Sequence, residues 1–377
     1  MNLFRKNIKE KHLNRVIFLL PGCDIDSSTR KCVPVGGYKV VYTYANMLAS
    51  DGFDVVLAFS HARCHYPNPL RHIYGYAGYL YRKFSGQLFA GKWFNLNHSI
   101  KKWYPYCYQN PFISFHNSDL VFATAYDTAV ELNKISQIPK ENKYYLIQGY
   151  EIWRDTPEAV RESYRFGMKN IVIAPWLQDI VGESGAESTL ITNGLDFNRF
   201  SLSKSIDDRS PFEVVLMNHT LEQKRLQDSR AALDIVKKQI PKLHVTMFGT
   251  CDAPKDMPSW YTYHRQPMEN ELCDIYNNGA IYVAASDFEG FGLTIGEAMI
   301  CGCAVACTDN GGFRCMAEHE VTALLSPVYD VEALAKNIIR LITDDDLRHK
   351  IAYAGNLGIQ KFTWEKSYQK LKAFILK

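Results

Sequence analysis

Short apolar runs and stretches of helical periodicity alternate along this chain. Residues 16–20, 55–59, 119–123, 144–147 and 171–174 are apolar runs of strand length, and 38–50 repeats its apolar positions with the period of a helix. The rhythm restarts after Asn193, with strand-like runs at 213–217, 244–248, 280–285 and 304–308 and helical patterns through 231–238 and 333–342. Such alternation predicts parallel sheets covered by helices, and two such blocks predict an α/β chain of two Rossmann-like domains. The polar, turn-prone stretch 203–211 marks the expected seam, giving domains at 1–205 and 206–355 with a last helix, 356–377, packing back towards the first. Open parallel sheets bind ligands at the carboxyl ends of their strands, so two domains facing across a cleft would each supply one substrate.

The most informative stretch follows the run 280–285. It reads Glu289-Gly290-Phe291-Gly292-Leu293-Thr294-Ile295-Gly296-Glu297, and helical periodicity continues through Ala298 and Met299. Strand, tight loop and helix suit an anionic, hydroxyl-rich ligand: free N–H groups at a helix start favour phosphate, and carboxylates accept from sugar hydroxyls. Gly290 and Gly292 are expected to let the backbone approach that ligand. The plain alternative is a loop glycine pair between two solvated glutamates.

At 377 residues, with 47% hydrophobic residues, the chain is long enough for two domains with real cores. Nothing approaches the roughly 18 consecutive apolar residues of a membrane span. The basic start, Arg5 to Arg15, leads into five apolar residues and then Pro21 and Gly22, which predicts a first strand rather than a signal-peptide core, and a cytoplasmic setting. The ten cysteines include no C-x-x-C pair, so free thiols in a reducing compartment are expected. Cys301, Cys303 and Cys307 fall on an apolar stretch where thiols behave as small hydrophobes. His61-Ala62-Arg63-Cys64-His65 lacks a second ligand pair, and Asp24-Ile25-Asp26 has a metal-chelating spacing straight after the first strand; no metal site is assigned to either.

One interval breaks the rhythm. Between 61 and 111 there is no Asp or Glu, but there are seven Lys or Arg and thirteen aromatic residues; setting those seven charges against the formal +3 leaves −4 for the rest. A cationic, aromatic surface suits anionic headgroups at the inner face of a membrane or a phosphorylated acceptor. Alternatively it is an insertion whose aromatics pack on the domain. No nucleic-acid-binding motif accompanies it.

Together these residues resemble the retaining glycosyltransferases of family 4, which have the two-domain GT-B fold and use nucleotide sugars. Glu289 and Glu297 match the family's E-x7-E motif. The likeness continues in Asn193-Gly194-Leu195-Asp196, Phe200, Gly311-Gly312 and Phe362-Thr363-Trp364-Glu365, and is dense over about residues 190 to 370. Gly36-Gly37 matches the pair that opens the family's first helix. The stretches 144–151 and 164–167 are similar to a branch containing bacterial rhamnosyltransferases of surface glycans.

The resemblance implies roles residue by residue. Glu297 would bind the ribose hydroxyls, Glu289 the donor sugar. The backbone of Gly290, Phe291, Gly292, Leu293 and Thr294 would hold the diphosphate, aided by Lys224. Gly36 and Gly37 would keep the backbone clear of diphosphate and acceptor. His219 stands where the family has arginine, Arg225 replaces a glycine, and Cys315 replaces a glutamate; either His219 or Arg225 would supply the missing donor. His116 and Gln148 are candidates for the acceptor side.

The implied reaction moves a sugar from a nucleotide diphosphate sugar to a glycan or lipid-linked acceptor with retained anomeric configuration, in surface polysaccharide assembly, without cofactor or metal. Two rivals share the architecture. A Rossmann oxidoreductase would carry G-x-G-x-x-G between strand and helix, which is absent. A catalytically inactive sugar-nucleotide binder would keep the cleft but not the chemistry.

Overall fold

The apolar run 16–20 becomes a strand buried on both faces, every one of its five residues 1% exposed or less. In the computed structural model, which describes residues 14–25, 31–61, 69–108 and 114–377, this strand is β1 (Arg15–Leu20). There follow α1 (Gly36–Ser50), β2 (Asp54–Phe59), α2 (Pro69–Phe84), β3 (Lys101–Trp103), β4 (Leu120–Ala123), α3 (Tyr126–Asn133), β5 (Lys143–Ile147), α4 (Pro157–Ser163), β6 (Lys169–Val172), α5 (Pro175–Glu183) and β7 (Ser188–Leu190). The strands stand in the order β3-β2-β1-β4-β5-β6-β7, with β1 parallel to both β2 and β4. Burial on both faces explains why these strands read as continuous apolar runs rather than alternating ones. The winding reverses between β1 and β4, which opens a crevice at their carboxyl ends.

A second sheet is built from β8 (Glu213–Asn218), α6 (Leu226–Gln239), β9 (His244–Gly249), β10 (Tyr261–Arg265), α7 (Glu269–Asn278), β11 (Ile281–Ala284), α8 (Leu293–Ile300), β12 (Ala304–Thr308), β13 (Leu324–Ser326), α9 (Val331–Thr343), α10 (Asp345–Ile359) and α11 (Trp364–Ile375). Its order is β10-β9-β8-β11-β12-β13, and every pair is parallel. Alternate strand residues, Val214 and Leu216, Val245 and Met247, Ile281 and Val283, meet Leu233 and Val236 of α6 and Leu334, Ile338 and Leu341 of α9 in one core. Asp330 and Asp344 cap α9 and α10 by accepting from the N–H groups of Ala333 and Leu347.

The chain divides into two compact units: residues up to 147 with 151–171 and 183–188, and residues 148–150, 172–182 and 189–377. The polar stretch 203–211 therefore lies within the second unit. Its Arg209 is 3% exposed and donates to the carbonyls of Lys204 and Gly279, at 2.8 and 3.0 Å, and to that of Cys301. A polar sequence thus hides a buried guanidinium that ties this stretch to the domain it enters. The last helix, α11, is grouped with the same unit.

Packing accounts for much of the aromatic interval. Trp93 and Phe94 set their rings 5.7 and 5.5 Å from that of Tyr42, and β3 adds an edge strand to the first sheet. The interval is pinned by Asp24, 3% exposed, which accepts from the Tyr42 hydroxyl at 3.0 Å, the Gly91 N–H at 2.9 Å and the Trp93 indole at 2.5 Å. That is a structural use of the carboxylate. Asp26 and residues 62–65 of the His-Cys-His stretch lie outside the described residues. Cys301, Cys303 and Cys307 are buried, and burial pushes the Cys303 thiol up to about 12. Among the described residues, no group of three His, Cys, Asp or Glu is placed to hold a metal ion.

Candidate functional site

The second sheet reverses its winding between β8 and β11, and the loops leaving the carboxyl ends of those two strands build the site. Asp287 N–H donates to the Gln223 carbonyl at 3.1 Å and ties one loop to the other. Across this tie, Lys224 Nζ lies 2.6 Å from Glu289 Oε1, and the Ser286 hydroxyl donates to the same oxygen at 2.8 Å. The two side chains are 17% and 10% exposed, so the pair is largely withdrawn from water. Behind it, the Ser286 carbonyl accepts from Asn310 Nδ2 at 2.9 Å and from the Thr308 hydroxyl. A charge pair held on both sides by fixed dipoles is pre-organised rather than mobile.

Gly292 ends the loop with φ +88 and forms the N-cap of α8, a conformation that L side chains resist, which fixes glycine there. Leu293 and Thr294 open the helix, and Glu297, 8% exposed, sits in its second turn. The Tyr276 hydroxyl lies 3.4 Å from Glu297 Oε2. Tyr282 feels both Glu289 and Glu297, while burial is the first cause of its raised pKa. Phe291 is 3% exposed with its ring 5.7 Å from that of Phe362, so its side chain packs and only its backbone is open to a ligand role.

The two loop glycines are also constrained by the protein around them. A Cβ on Gly290 would lie 2.2 Å from the Gln148 carbonyl oxygen, and one on Gly292 2.6 Å from the Phe313 ring. The Trp176 indole donates to the Gly290 carbonyl at 3.0 Å. Space alone reserves Gly290 for glycine, while Gly292 is reserved both by its φ and by the Phe313 ring. Gln148 thereby belongs to the support of this loop through its backbone.

His219 follows β8, and its Nδ1 accepts from the Leu221 N–H at 3.0 Å, which leaves the ring proton on Nε2 when the imidazole is neutral. Burial first, and then Lys224, lowers its pKa, with Glu289 opposing. Above that lowered value it is a neutral hydrogen-bond donor. Arg225 has φ +47, which explains why a glycine fits there, and its guanidinium is committed to Asp228 at 2.8 and 3.1 Å and to the Tyr329 ring. Both replacements keep a donor: the His219 Nε2–H, and on Arg225 the N–H groups beyond the two that Asp228 accepts. Both line a cavity of about 800 Å³ that also involves Asn218, Glu222, Cys251 and Asp252. Cys315 is partly buried, and burial pushes its thiol up to about 12.

In the first unit, Gly36 and Gly37 are the first residues of α1, after Val35, which offers no side-chain cap. His116 precedes β4 and is exposed, with its N–H donating to Asp119 at 2.7 Å. It thus sits at the amino end of the sheet, whereas ligands of parallel sheets bind at the carboxyl end. The acceptor role expected for it is not where the fold puts such a site.

At the carboxyl end stands a group that the sequence did not single out, Glu151, which accepts from the Tyr126 N–H at the start of α3. Burial holds its carboxyl up to about 7, against Tyr126 N–H and Arg154, which lower it, while Asp127 adds to the rise. A carboxyl raised from 4.5 to about 7 binds more protons folded than unfolded between those values, so stability falls as pH rises across that window and levels off above it. Glu151→Gln keeps an acceptor for Tyr126 and removes the fall. Urea unfolding at pH 8 should show the variant about 1–3 kcal/mol more stable than the parent, with little difference near pH 5. Equal stability at both pH values would place the carboxyl in ordinary solvent.

Residues 200–357 match the family described as Glycosyl transferases group 1. Among curated proteins, the chain is 22% identical over 234 residues to the poly(glycerol-phosphate) alpha-glucosyltransferase of Bacillus subtilis, covering 56% of this chain and 33% of that one. It is 24% identical over 203 residues to the phosphatidyl-myo-inositol mannosyltransferase of Mycobacterium tuberculosis, covering 50% and 53%. The chain thus spans a third to a half of these relatives' length. Solved structures align over nearly the whole chain: Thermosynechococcus elongatus sucrose-phosphate synthase with TM-score 0.67 at 16% identity, over 96% and 98% of the two chains, and Anabaena HepE, in complex with UDP and glucose, with TM-score 0.69 at 15% identity, over 96% and 99%. The fold is GT-B, and the family that its carboxyl-terminal domain matches is glycosyl transferases group 1.

Proposed function

We propose that this protein is a retaining glycosyltransferase that moves a sugar from a nucleotide diphosphate sugar to a glycan or lipid-linked acceptor in surface polysaccharide assembly. The observation that carries the reading is the Lys224–Glu289 pair at the switch point of the second sheet, beside the start of α8 and close to a cavity that reaches His219. Glu297 holds the ribose hydroxyls, Glu289 the donor sugar, and the N–H groups from Gly290 to Thr294 the diphosphate. The first domain, with Gly36 and Gly37 at the start of α1, takes the acceptor. The UDP and glucose bound by Anabaena HepE and the glycosyl transfers named for the curated relatives support the substrate class.

In the reaction, the bond between the anomeric carbon and the β-phosphate oxygen breaks, and the acceptor oxygen bonds to the same face of that carbon. The leaving phosphate oxygen takes the acceptor proton. Charge accumulates on the diphosphate as it leaves, and the Lys224 ammonium and the His219 Nε2–H are the fixed groups that stabilise it. No residue forms a covalent intermediate, in contrast to the paired carboxylates of retaining hydrolases.

The test is thermal stabilisation by a panel of UDP, GDP, ADP and dTDP sugars, dTDP-rhamnose among them, followed by product analysis with the donor so found. Glu297→Ala should weaken binding of that donor by about 1.5–3 kcal/mol, the range for a hydrogen bond to a charged group. A folded variant that binds as the parent does would remove the ribose role, and stabilisation without turnover on any acceptor would favour an inactive binder.

A further inference from the structure

Among the described residues, four that are not glycine take a positive φ, and two of them, Arg225 at +47 and Tyr329 at +68, stack on each other, the guanidinium 5.0 Å from the ring centre. Such a backbone is strained for a residue with a Cβ and relaxed for glycine. At Tyr329 the demand comes from a turn. The Asp330 N–H donates to the Pro327 carbonyl at 3.3 Å, which makes Tyr329 the third residue of a tight turn between β13 and α9, a place that favours glycine or asparagine. Burial does not account for a tyrosine there, since Tyr329 is 61% exposed.

Its contacts account for it. The Tyr329 hydroxyl donates to Asp287 Oδ2 at 3.0 Å, and its ring carries the Arg225 guanidinium. Each partner adjoins one half of the charge pair: Arg225 follows Lys224, and Asp287 stands two residues before Glu289. Asp287 also donates its N–H to the Gln223 carbonyl at 3.1 Å, so the loops leaving β8, β11 and β13 are fastened at one point. We propose that Tyr329 is a positioning residue for sugar transfer, holding the loop of Lys224 against the loop of Glu289 so that the ammonium meets the leaving diphosphate without rearrangement. Glycine at 329 would relax the turn and release the two loops from each other, which is why the strained residue is kept. Tyr329 acts through Arg225 and Asp287 rather than on the sugar, and the inference rests on the transferase reading.

The experiment compares the parent with Tyr329→Gly and Tyr329→Phe, measuring melting temperature and nucleotide release with the donor that the panel of UDP, GDP, ADP and dTDP sugars selects. Glycine relaxes the backbone and removes both contacts, whereas phenylalanine keeps the ring and removes only the hydrogen bond. Tyr329→Gly is expected to melt within about 2 °C of the parent or above it, because relieved strain offsets the added freedom of the unfolded chain. Its turnover at donor saturation is expected to fall about tenfold, with the half-saturating donor concentration changed by less than about threefold. Tyr329→Phe should fall between the two. A residue that served folding alone would lower the melting temperature and spare turnover per folded molecule, so that outcome overturns the positioning role. Turnover of Tyr329→Gly within about twofold of an active parent overturns it as well and leaves the transferase reading standing. A parent that is stabilised by a donor and releases no nucleotide with any acceptor sinks the transferase reading and the positioning role together.

Discussion

Lys224→Met is expected to lower the rate of sugar transfer by about a hundred- to a thousandfold while leaving a folded protein. The magnitude follows from what the ammonium does at each stage. In the free protein it is 2.6 Å from Glu289, in a site where both side chains are mostly withdrawn from water. When the glycosidic bond breaks, negative charge grows on the leaving diphosphate, and a fixed cation a few ångströms away stabilises that charge more than the ground state. Losing a preorganised donor to such charge costs about 3–4 kcal/mol of transition-state stabilisation. Losing one hydrogen bond to a charged group in the ground state costs about 1.5–3 kcal/mol. The rate constant should therefore fall more than the donor affinity does, measured as nucleotide release under donor saturation. The substitution also leaves the Glu289 carboxylate with the Ser286 hydroxyl but no cation, so Lys224→Met, Glu289→Gln is the companion variant that separates lost catalysis from a stranded charge. A single variant within a few-fold of the parent would make the pair a structural ion pair.

Much of the architecture was legible because parallel sheets bury both faces. Residues 16–20 and 55–59 are continuous apolar runs, 304–308 is apolar up to Thr308 and 244–248 is broken by His244 and Thr246, and each became a strand within one or two residues of its predicted bounds. Edge strands were not legible: Lys101, Lys102 and Trp103 of β3 and the half-exposed Tyr-Thr-Tyr-His-Arg of β10 show neither a run nor a clean alternation. The run 171–174 was placed too late, because Pro175 starts α5 and the strand ends at Val172. In the site, the loop and helix around Glu289 and Glu297 could be read from local pattern. The partnership of Lys224 with Glu289 could not, since it joins two loops 65 residues apart, and the family resemblance pointed to the two residues separately, Lys224 for the diphosphate and Glu289 for the donor sugar. Ser286 and Tyr276, which touch the two motif carboxylates, gave no signal of their own. For the loop glycines the sequence could not show the steric reason, because the atoms that exclude a Cβ come from Gln148 and Phe313, distant in sequence.

That lesson sets the second large expectation, for Gly312→Ala. Gly312 has φ −69, which any residue adopts, so no backbone strain reserves the position for glycine. Space does: a Cβ there would stand 2.3 Å from the Glu289 carbonyl oxygen and 2.5 Å from its Cβ. Backbone atoms cannot swing aside as the end of a long side chain can, so the loop carrying Glu289 must move or the loop after β12 must. Overpacking of this kind costs about 1–3 kcal/mol. In a domain of this size that lowers the melting temperature by about 2–4 °C for each kcal/mol. The loss should not stop at stability, because Glu289 is held through a 2.6 Å contact and a shift of even half that length would part it from Lys224. Donor-induced stabilisation and turnover per folded molecule are both expected to fall along with the melting temperature. A lower melting temperature with unchanged turnover would mean that the β12 loop yields and Glu289 does not. The glycine pair would then serve folding alone, and the positioning of the donor sugar would rest on Ser286, Lys224 and the turn that Gly292 closes.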